Sequence, residues 1–502
     1  MAVDIEYARR DDISIAFTVI GDGPVDLIFG VGLMSHIDLL WGDPHAASWL
    51  RKLGAACRVI LFDKPGTGLS DPVTGATTVA ERAEDFRAVL DAAGSRRAIV
   101  FGLSEAGPPA AVFAATYPDR TEALVVASSC ARFTTTDDYL PQLEDYVEGH
   151  VWGAMWHGAD HWGDGHTIRT ISPLFRNSLL YSRLAPSVER SSSSPSMAKA
   201  IIQSTRHYDV RDVLPAVRVP TLVTGRTEEI FPKEMMEDFA ERIPGARLEL
   251  FPGDEHLSWV GGDDIADAVL RFIDAPASSH RVADRMLATL LYTDLVASTA
   301  SVVESGDERW RSVLARHDDL IEEETARHGG RVVKTLGDGA LALFDRPVQA
   351  VRCADVIRAR LTDVGLEMRA AIHTGEVELR GDDVTGVAAH LASRLLSHAA
   401  ANEIVVTGTV RDLTLGTGLA FETKDIVELR DVPGRWEILS VTSLQLSHLR
   451  SAATTERERT QSSAHESMNV VDRSLVVAAR RVPRVTRLFV RVGSWRHQRA
   501  GA

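Results

Sequence analysis

The chain has 502 residues, too long for one ordinary core at about 100–200 residues per domain, so two or three domains are expected. Its 45% hydrophobic and 25% charged residues exclude a largely disordered chain. A formal charge of −15 argues against a protein built to coat nucleic acid, and no nucleic-acid partner is expected.

Residues 5–30 read as two short strands around a Gly turn, followed by an apolar strand from Val25 to Gly30. Strand-like runs then alternate with amphipathic helical stretches. Cys57–Phe62 precedes a Gly-rich turn, Thr78–Ala92 reads as a helix, and Ala98–Phe101 and Leu124–Ala127 follow as strands. This βαβ rhythm predicts a mostly parallel sheet covered on both faces. From about 134 to 210 the rhythm stops. That stretch, with Trp152, Trp156, Trp162 and the run SSSSPS at 191–196, is expected to be an inserted helical cap with a mobile loop. The sheet pattern resumes at Thr221–Gly225 and Arg247–Phe251 and ends with a helix at Ile265–Ile273. Residues 276–285 are the expected linker, so the first domain spans 1–275.

A second rhythm runs over 286–440. A strand (Leu287–Thr293) precedes a long helix at about 307–328, then a hairpin of 331–336 and 340–344 around Gly337-Asp338-Gly339. Helix 348–361, strand 366–373, helix 384–399 and strand 403–407 complete an α+β pattern. Residues 441–502 differ in kind, with eleven Arg, no Lys and four acidic residues, a net of 11 − 4 = +7. They are expected to form a solvated basic tail. The sharper alternative is a basic amphipathic segment touching anionic lipid weakly, with Pro483 against a long helix there.

Three scattered cysteines, Cys57, Cys130 and Cys353, form neither a disulfide framework nor a metal pattern. The N-terminus lacks a signal-peptide apolar core, and no run approaches the ~18 apolar residues of a membrane span. A soluble cytoplasmic protein is expected.

Two regions carry chemistry. In the first, Ile99-Val100-Phe101-Gly102-Leu103-Ser104-Glu105-Ala106-Gly107 is a strand running into a sharp turn and a helix, which would hold Ser104 out at the strand end beside backbone N–H groups. A serine nucleophile needs a histidine base and an orienting carboxylate. GRTEEIFP offers Glu228 or Glu229, and PGDEHLSW places His256 in a Gly-led loop. With FDKPGTGLSD (62–71), GLSEAG (102–107) and PGDEH (252–256), residues 5–275 resemble an α/β-hydrolase with a helical cap. The resemblance implies a triad of Ser104, His256 and an acid, for which the register before Pro232 favours Glu228 over Glu229. It also implies oxyanion donors at the Glu105 N–H and in the loop after Gly30. The domain is expected either to turn over an ester-like substrate or to sense a small molecule. His157 and His161, at i,i+4, read as a surface or packed pair rather than a metal site.

In the second region Asp294 follows an apolar strand and Asp338 sits in a hairpin turn. Mg²⁺ favours one or two carboxylates plus substrate phosphates, and the loop from Leu295 to Thr299 is expected to open a helix whose N–H groups receive phosphate. YTDLVAST, GGRVVKTLGDGALALF, IHTGEVE and the stretch from Asp383 to Arg394 together resemble class III nucleotidyl cyclases. The implied fold is α+β and ferredoxin-like. The resemblance implies that Asp294 and Asp338 hold two Mg²⁺ or Mn²⁺ ions, and that Lys334 and Asp383 read adenine, so that ATP is the substrate. Arg394 matches the transition-state arginine, and His390 stands where the family has a catalytic asparagine. The expected activity is adenylate cyclase, making cyclic AMP and pyrophosphate; the alternative is an esterase-like serine hydrolase whose degenerate cyclase domain serves as a dimerising or nucleotide-sensing module. The family assembles its sites from two subunits, so a homodimer is implied.

Overall fold

In the computed structural model, the residues described are 3–73, 77–274, 285–296, 307–335, 337–380, 383–430 and 432–444. The expected linker and almost all of the basic tail lie outside them. No described helix is long and apolar enough to cross a membrane.

The first sheet has eight strands: β1 (Glu6–Arg10), β2 (Ile13–Ile20), β3 (Val25–Gly30), β4 (Cys57–Phe62), β5 (Ala98–Leu103), β6 (Thr121–Ala127), β7 (Thr221–Arg226) and β8 (Arg247–Phe251). Their spatial order is β1-β2-β4-β3-β5-β6-β7-β8. β3 to β8 run parallel, while β2 pairs antiparallel with β1 and β4.

Side chains alternate across a strand, and here both faces are buried. Ile28, Val100 and Val223 face one core with helices Val79–Ala92, Gly107–Thr116 and Lys233–Arg242. Leu27, Phe29, Ile99 and Phe101 face the other, with helices Pro44–Gly54 and Asp264–Asp274. That double burial is why these strands read as unbroken apolar runs. Helix Val79–Ala92 starts at a capping box, in which Thr78 Oγ1 accepts from Glu81 N and the Glu81 carboxylate accepts from Thr78 N.

Between β6 and β7 the chain forms the expected helical cap, with helices Gly153–Asp160, His166–Ile171, Leu179–Ser192 and Pro195–Thr205 among others. The serine run is not the loop expected. Ser192 ends one helix, and Ser194 caps the next by accepting from Met197 N. Serines compete for backbone partners, and at a helix start that competition stabilises the helix.

The second sheet contains β9 (Arg285–Leu295), β10 (Arg331–Thr335), β11 (Gly339–Phe344), β12 (Met368–Arg380), β13 (Asp383–Thr385), β14 (Ile404–Thr407), β15 (Leu419–Glu428) and β16 (Arg435–Leu444). Its order is β10-β11-β9-β12-β14-β16-β15, with β13 paired to β12. Helices Asp307–Arg327 and Pro347–Thr362 follow β9 and β11. The sequence pattern ends β12 seven residues early and starts the next helix three residues early. β12 instead continues to Arg380 and turns back through β13, and the helix runs from Val387 to Leu395.

Both sheets belong to one compact unit, Met1–Ser443. Leu287 of β9 and Leu413 are buried in the same apolar cluster as Ala110, Val112 and Phe113. Arg218 pairs with Glu376, and Thr409 Oγ1 donates to Asp212 at 3.1 Å, tying the two parts together.

Candidate active site

β5 ends at Leu103 and the chain turns through Ser104 into a short 3₁₀ segment and the helix Gly107–Thr116. Ser104 has φ +56°, a left-handed conformation that costs a non-glycine residue energy and recurs at functional sites. The turn needs small neighbours. A Cβ on Gly102 would stand 2.4 Å from Ala106 O, and one on Gly32 would stand 2.7 Å from Ser104 Cβ. Ser129 Oγ donates to Ser104 O at 2.6 Å and holds the turn from below.

His256 lies beyond β8, with Nε2 2.8 Å from Ser104 Oγ and Nδ1 2.6 Å from Glu229 Oε2. All three side chains are buried. They come from the carboxyl ends of β5, β7 and β8, where parallel sheets build their sites.

The carboxylate beside His256 is therefore Glu229, and the preference for Glu228 is corrected. Thr227 N and Glu228 N donate to Phe251 O and Gly253 O, each at 2.9 Å, pinning the loop after β7 against the end of β8. Held this way, Glu228 is exposed and Glu229 turns inward. Gly225 makes the room, since a Cβ there would stand 2.9 Å from Glu229 Oε1.

Glu105 contributes more than its N–H. Its buried carboxylate accepts from Arg82 at 2.8 Å and lies 3.3 Å from Lys64 Nζ. Arg82 also bonds Asp85 at 3.1 Å, which accepts from Arg10 at 2.6 Å. Burial raises the Glu105 pKa, but Arg82 and Lys64 outweigh it and hold the carboxyl below its ordinary range. Burial also depresses Lys64, to about 8. Sequence reasoning passed over this chain of charges. Its only signal was charge inside segments patterned for burial: Lys64 just after CRVILF, and Arg82 and Asp85 within a helix facing the core.

A cavity of about 400 Å³ opens over Ser104 and His256. Cap and core residues such as Trp152, Met155, Ile168, Phe175, Ile230 and Phe231 line it, with no lysine or arginine among the lining residues. Phe231 meets the His256 ring edge-on, 5.5 Å between centroids.

The second-sheet residues fall into groups. Asp294 on β9 is opposite Gly339 on β11, and Leu295 N donates to Asp338 O at 3.0 Å, so the two aspartates sit at one sheet end. Asp294 Oδ2 is bound by Arg369 of β12, at 2.9 Å from Nε and also through Nη2. Lys334 on β10 pairs with Asp383 on β13 at 2.6 Å; Asp383 is exposed and Lys334 half-buried. The ion pair holds the Asp383 carboxyl below its ordinary range. His390 and Arg394 lie four apart on helix Val387–Leu395, both exposed. Residues 297–299 of the expected phosphate-binding loop lie outside the described residues.

In the cap, His157 and His161 stack at 4.4 Å, and His166 packs edge-on to His157 at the same separation. Among the described residues no group of three histidine, cysteine or acidic side chains is arranged to hold a metal.

Residues 41–262 match the family of the alpha/beta hydrolase fold. The chain is 28% identical over 245 residues to a protein of Caulobacter sp. (strain K31) named for carbamate hydrolysis, RutD, an alignment covering 46% of this chain and 86% of that protein. It is 30% identical over 226 residues to a protein of Streptomyces coelicolor named adenylate cyclase, covering 45% of this chain and 58% of that one. Among solved structures, the alpha/beta hydrolase MGS-M2 from a Medee basin deep-sea metagenome superposes with a TM-score of 0.46 at 21% identity, over 55% of this chain and all of that one. The N-terminal part of the chain thus has the α/β-hydrolase fold, the fold of the family that residues 41–262 match.

Proposed function

We propose that the N-terminal part is a serine hydrolase for an uncharged, ester-like substrate, joined to a class III cyclase domain that makes cyclic AMP from ATP. The observation carrying the first half is the unbroken line Glu229–His256–Ser104, with contacts of 2.6 and 2.8 Å. His256 Nδ1 donates to Glu229, which leaves Nε2 to take the Ser104 proton as Oγ attacks the carbonyl carbon. The developing oxyanion would be received by the Glu105 N–H and the Gly32–Leu33 loop. Proton return through His256 releases the alcohol, and a water activated by the same Nε2 frees the acyl group. The mostly apolar lining, whose described residues include the carboxylates of Asp38, Asp43 and Glu105 and no lysine or arginine, favours a neutral ligand over a carboxylate or phosphate. A fluorophosphonate probe should label wild-type protein at Ser104 and miss Ser104→Ala. An unlabelled wild type would sink the reading.

The second half is supported by the placement of Asp294 and Asp338. β9 to β12, with their two intervening helices, follow the order of a βαββαβ ferredoxin-like unit, β10-β11-β9-β12. Two neighbouring carboxylates suit Mg²⁺ or Mn²⁺, which take one or two carboxylates and leave positions for phosphate. Such ions, when bound, would supply charge to a triphosphate and its attacking hydroxyl. Arg369 holds Asp294 in position. Lys334 and Asp383 would exchange their mutual pair for the adenine ring nitrogen and amine, and Arg394 would meet phosphoryl charge. His390 would supply its imidazole N–H where the family has an amide. Because the aspartate pair and the Lys334–Asp383 pair are separate groupings, a homodimer would bring one from each chain into a site. The name of the Streptomyces relative supports the same reading. Incubation with ATP and Mn²⁺ should yield cyclic AMP, and an undiminished rate in Asp338→Ala would exclude this site.

The hydrolase part would serve the cyclase as sensor through helix Gly107–Thr116, which starts at the Ser104 turn and packs on β9, the strand that carries Asp294 near its end.

A further inference from the structure

Lys64 is fully buried, beside the serine site rather than in it. It follows β4, and its ammonium has three N–H donors to satisfy. Nζ donates to Gly32 O, and to Leu33 O at 3.0 Å, and it faces the Glu105 carboxylate at 3.3 Å. Those partners belong to the two segments that flank Ser104: the loop after β3, and the residue following the nucleophile. A buried ammonium with fewer partners is costly, so the arrangement is held tightly.

We propose that Lys64 is a positioning residue that sets the oxyanion-binding peptides of the Gly32–Leu33 loop. In a trans peptide the N–H points opposite to the preceding carbonyl. With Gly32 O drawn onto Lys64, the Leu33 N–H is turned away from it, and with Leu33 O drawn the same way, so is the Met34 N–H. Gly32 lies against Ser104, and Leu33 and Met34 line the cavity. Glu105 is anchored from the other side by Arg82, which is anchored through Asp85 to Arg10. The charges alternate along this chain, so the Glu105 peptide and the loop are fixed relative to each other before substrate arrives. A fixed cation behind the loop also polarises its peptides, which strengthens their N–H donors in a water-poor site.

Lys64 touches no substrate atom, so its loss should act on the rate of attack and spare binding. Burial holds its pKa near 8. The sign follows: the ammonium is intact below that pH and is lost as pH rises through it, and the rate of attack should fall with it. The proposal rests on the assignment of Ser104 as nucleophile.

The test uses the full chain, p-nitrophenyl butyrate hydrolysis and the rate of Ser104 phosphonylation by a fluorophosphonate, both across pH 6–10. Wild type should show an alkaline fall centred near pH 8. Lys64→Met should lower kcat and the labelling rate on the order of 10–100-fold, with KM within about threefold. Lys64→Arg, which keeps its charge to higher pH, should recover part of the rate and lose the alkaline fall. A Lys64→Met protein with wild-type rates, or an alkaline fall unchanged in Lys64→Arg, overturns the proposal. Should Lys64→Met fail to fold, the pH profiles of wild type and Lys64→Arg decide alone. An unlabelled wild type removes the nucleophile and this proposal with it, whereas labelling without dependence on Lys64 removes only this proposal.

Discussion

The Ser104 site and the second-sheet site are built on opposite principles. Ser104, His256 and Glu229 are buried, lie in one line, and come from one chain. Asp383, His390 and Arg394 are exposed, Lys334 is half-buried beside Asp383, and Asp294 is held by Arg369. A nucleophile must have its base aligned in advance and shielded from water. A polyphosphate site can instead keep its charges solvated and self-paired until ligand and partner arrive, because exposed pairs cost little to break.

The largest expected effect comes from cutting the buried line. Ser104→Ala should lower ester hydrolysis by about 10⁴-fold or more while leaving cyclic AMP production measurable, a separation that a shared site would not allow. Within that line the acid is the sharper test. Glu229→Gln should cost about 10²–10⁴-fold in kcat, and Glu228→Gln should stay within about twofold. Equal losses would mean the loop after β7 moves between two registers.

On the open side, Asp338→Ala should reduce cyclic AMP formation by about 10²-fold or more with Ser104 labelling unchanged. A fall in both would show that the two parts cannot be perturbed separately. A smaller effect separates their pH behaviour. His373 is buried on β12 with Nδ1 2.9 Å from Thr407 Oγ1, and burial lowers its pKa to about 3. The folded state thus resists a proton that the unfolded chain takes up near 6.5. Stability is full above that pH and declines as pH falls toward 3, by about 1.4 kcal/mol per unit. Protection factors of β12 and β14, corrected for the intrinsic exchange rate at each pH, should therefore fall between pH 6.5 and 4.5 relative to those of β5 and β6, and His373→Phe should remove the difference.

Much of the N-terminal part was legible because both cores impose simple periodicity. Ala98–Phe101 and Leu124–Ala127 lie in strands where their unbroken apolar runs predict them, and the turn after Phe101 announces itself by Gly102 and Ser104. The serine run misled because composition says what a segment prefers and not what it meets: Ser194 found a helix start to cap. β12 overran its expected end because pairing with β9 carried it on to Glu378 and pairing with β13 to Arg380.

Sequence alone determined the residue types and their order: a serine at a tight turn, a histidine in a Gly-led loop, two aspartates at strand ends. These follow from local pattern and chain spacing, which neighbours in sequence can enforce. Tertiary structure decided which of two adjacent glutamates faces His256, because bonds from Thr227 and Glu228 to the end of β8 set that rotation. It also decided that Lys64, Glu105, Arg82, Asp85 and Arg10, far apart in sequence, share one buried chain of charge. Charge compensation in a core acts through space, and no local pattern records it.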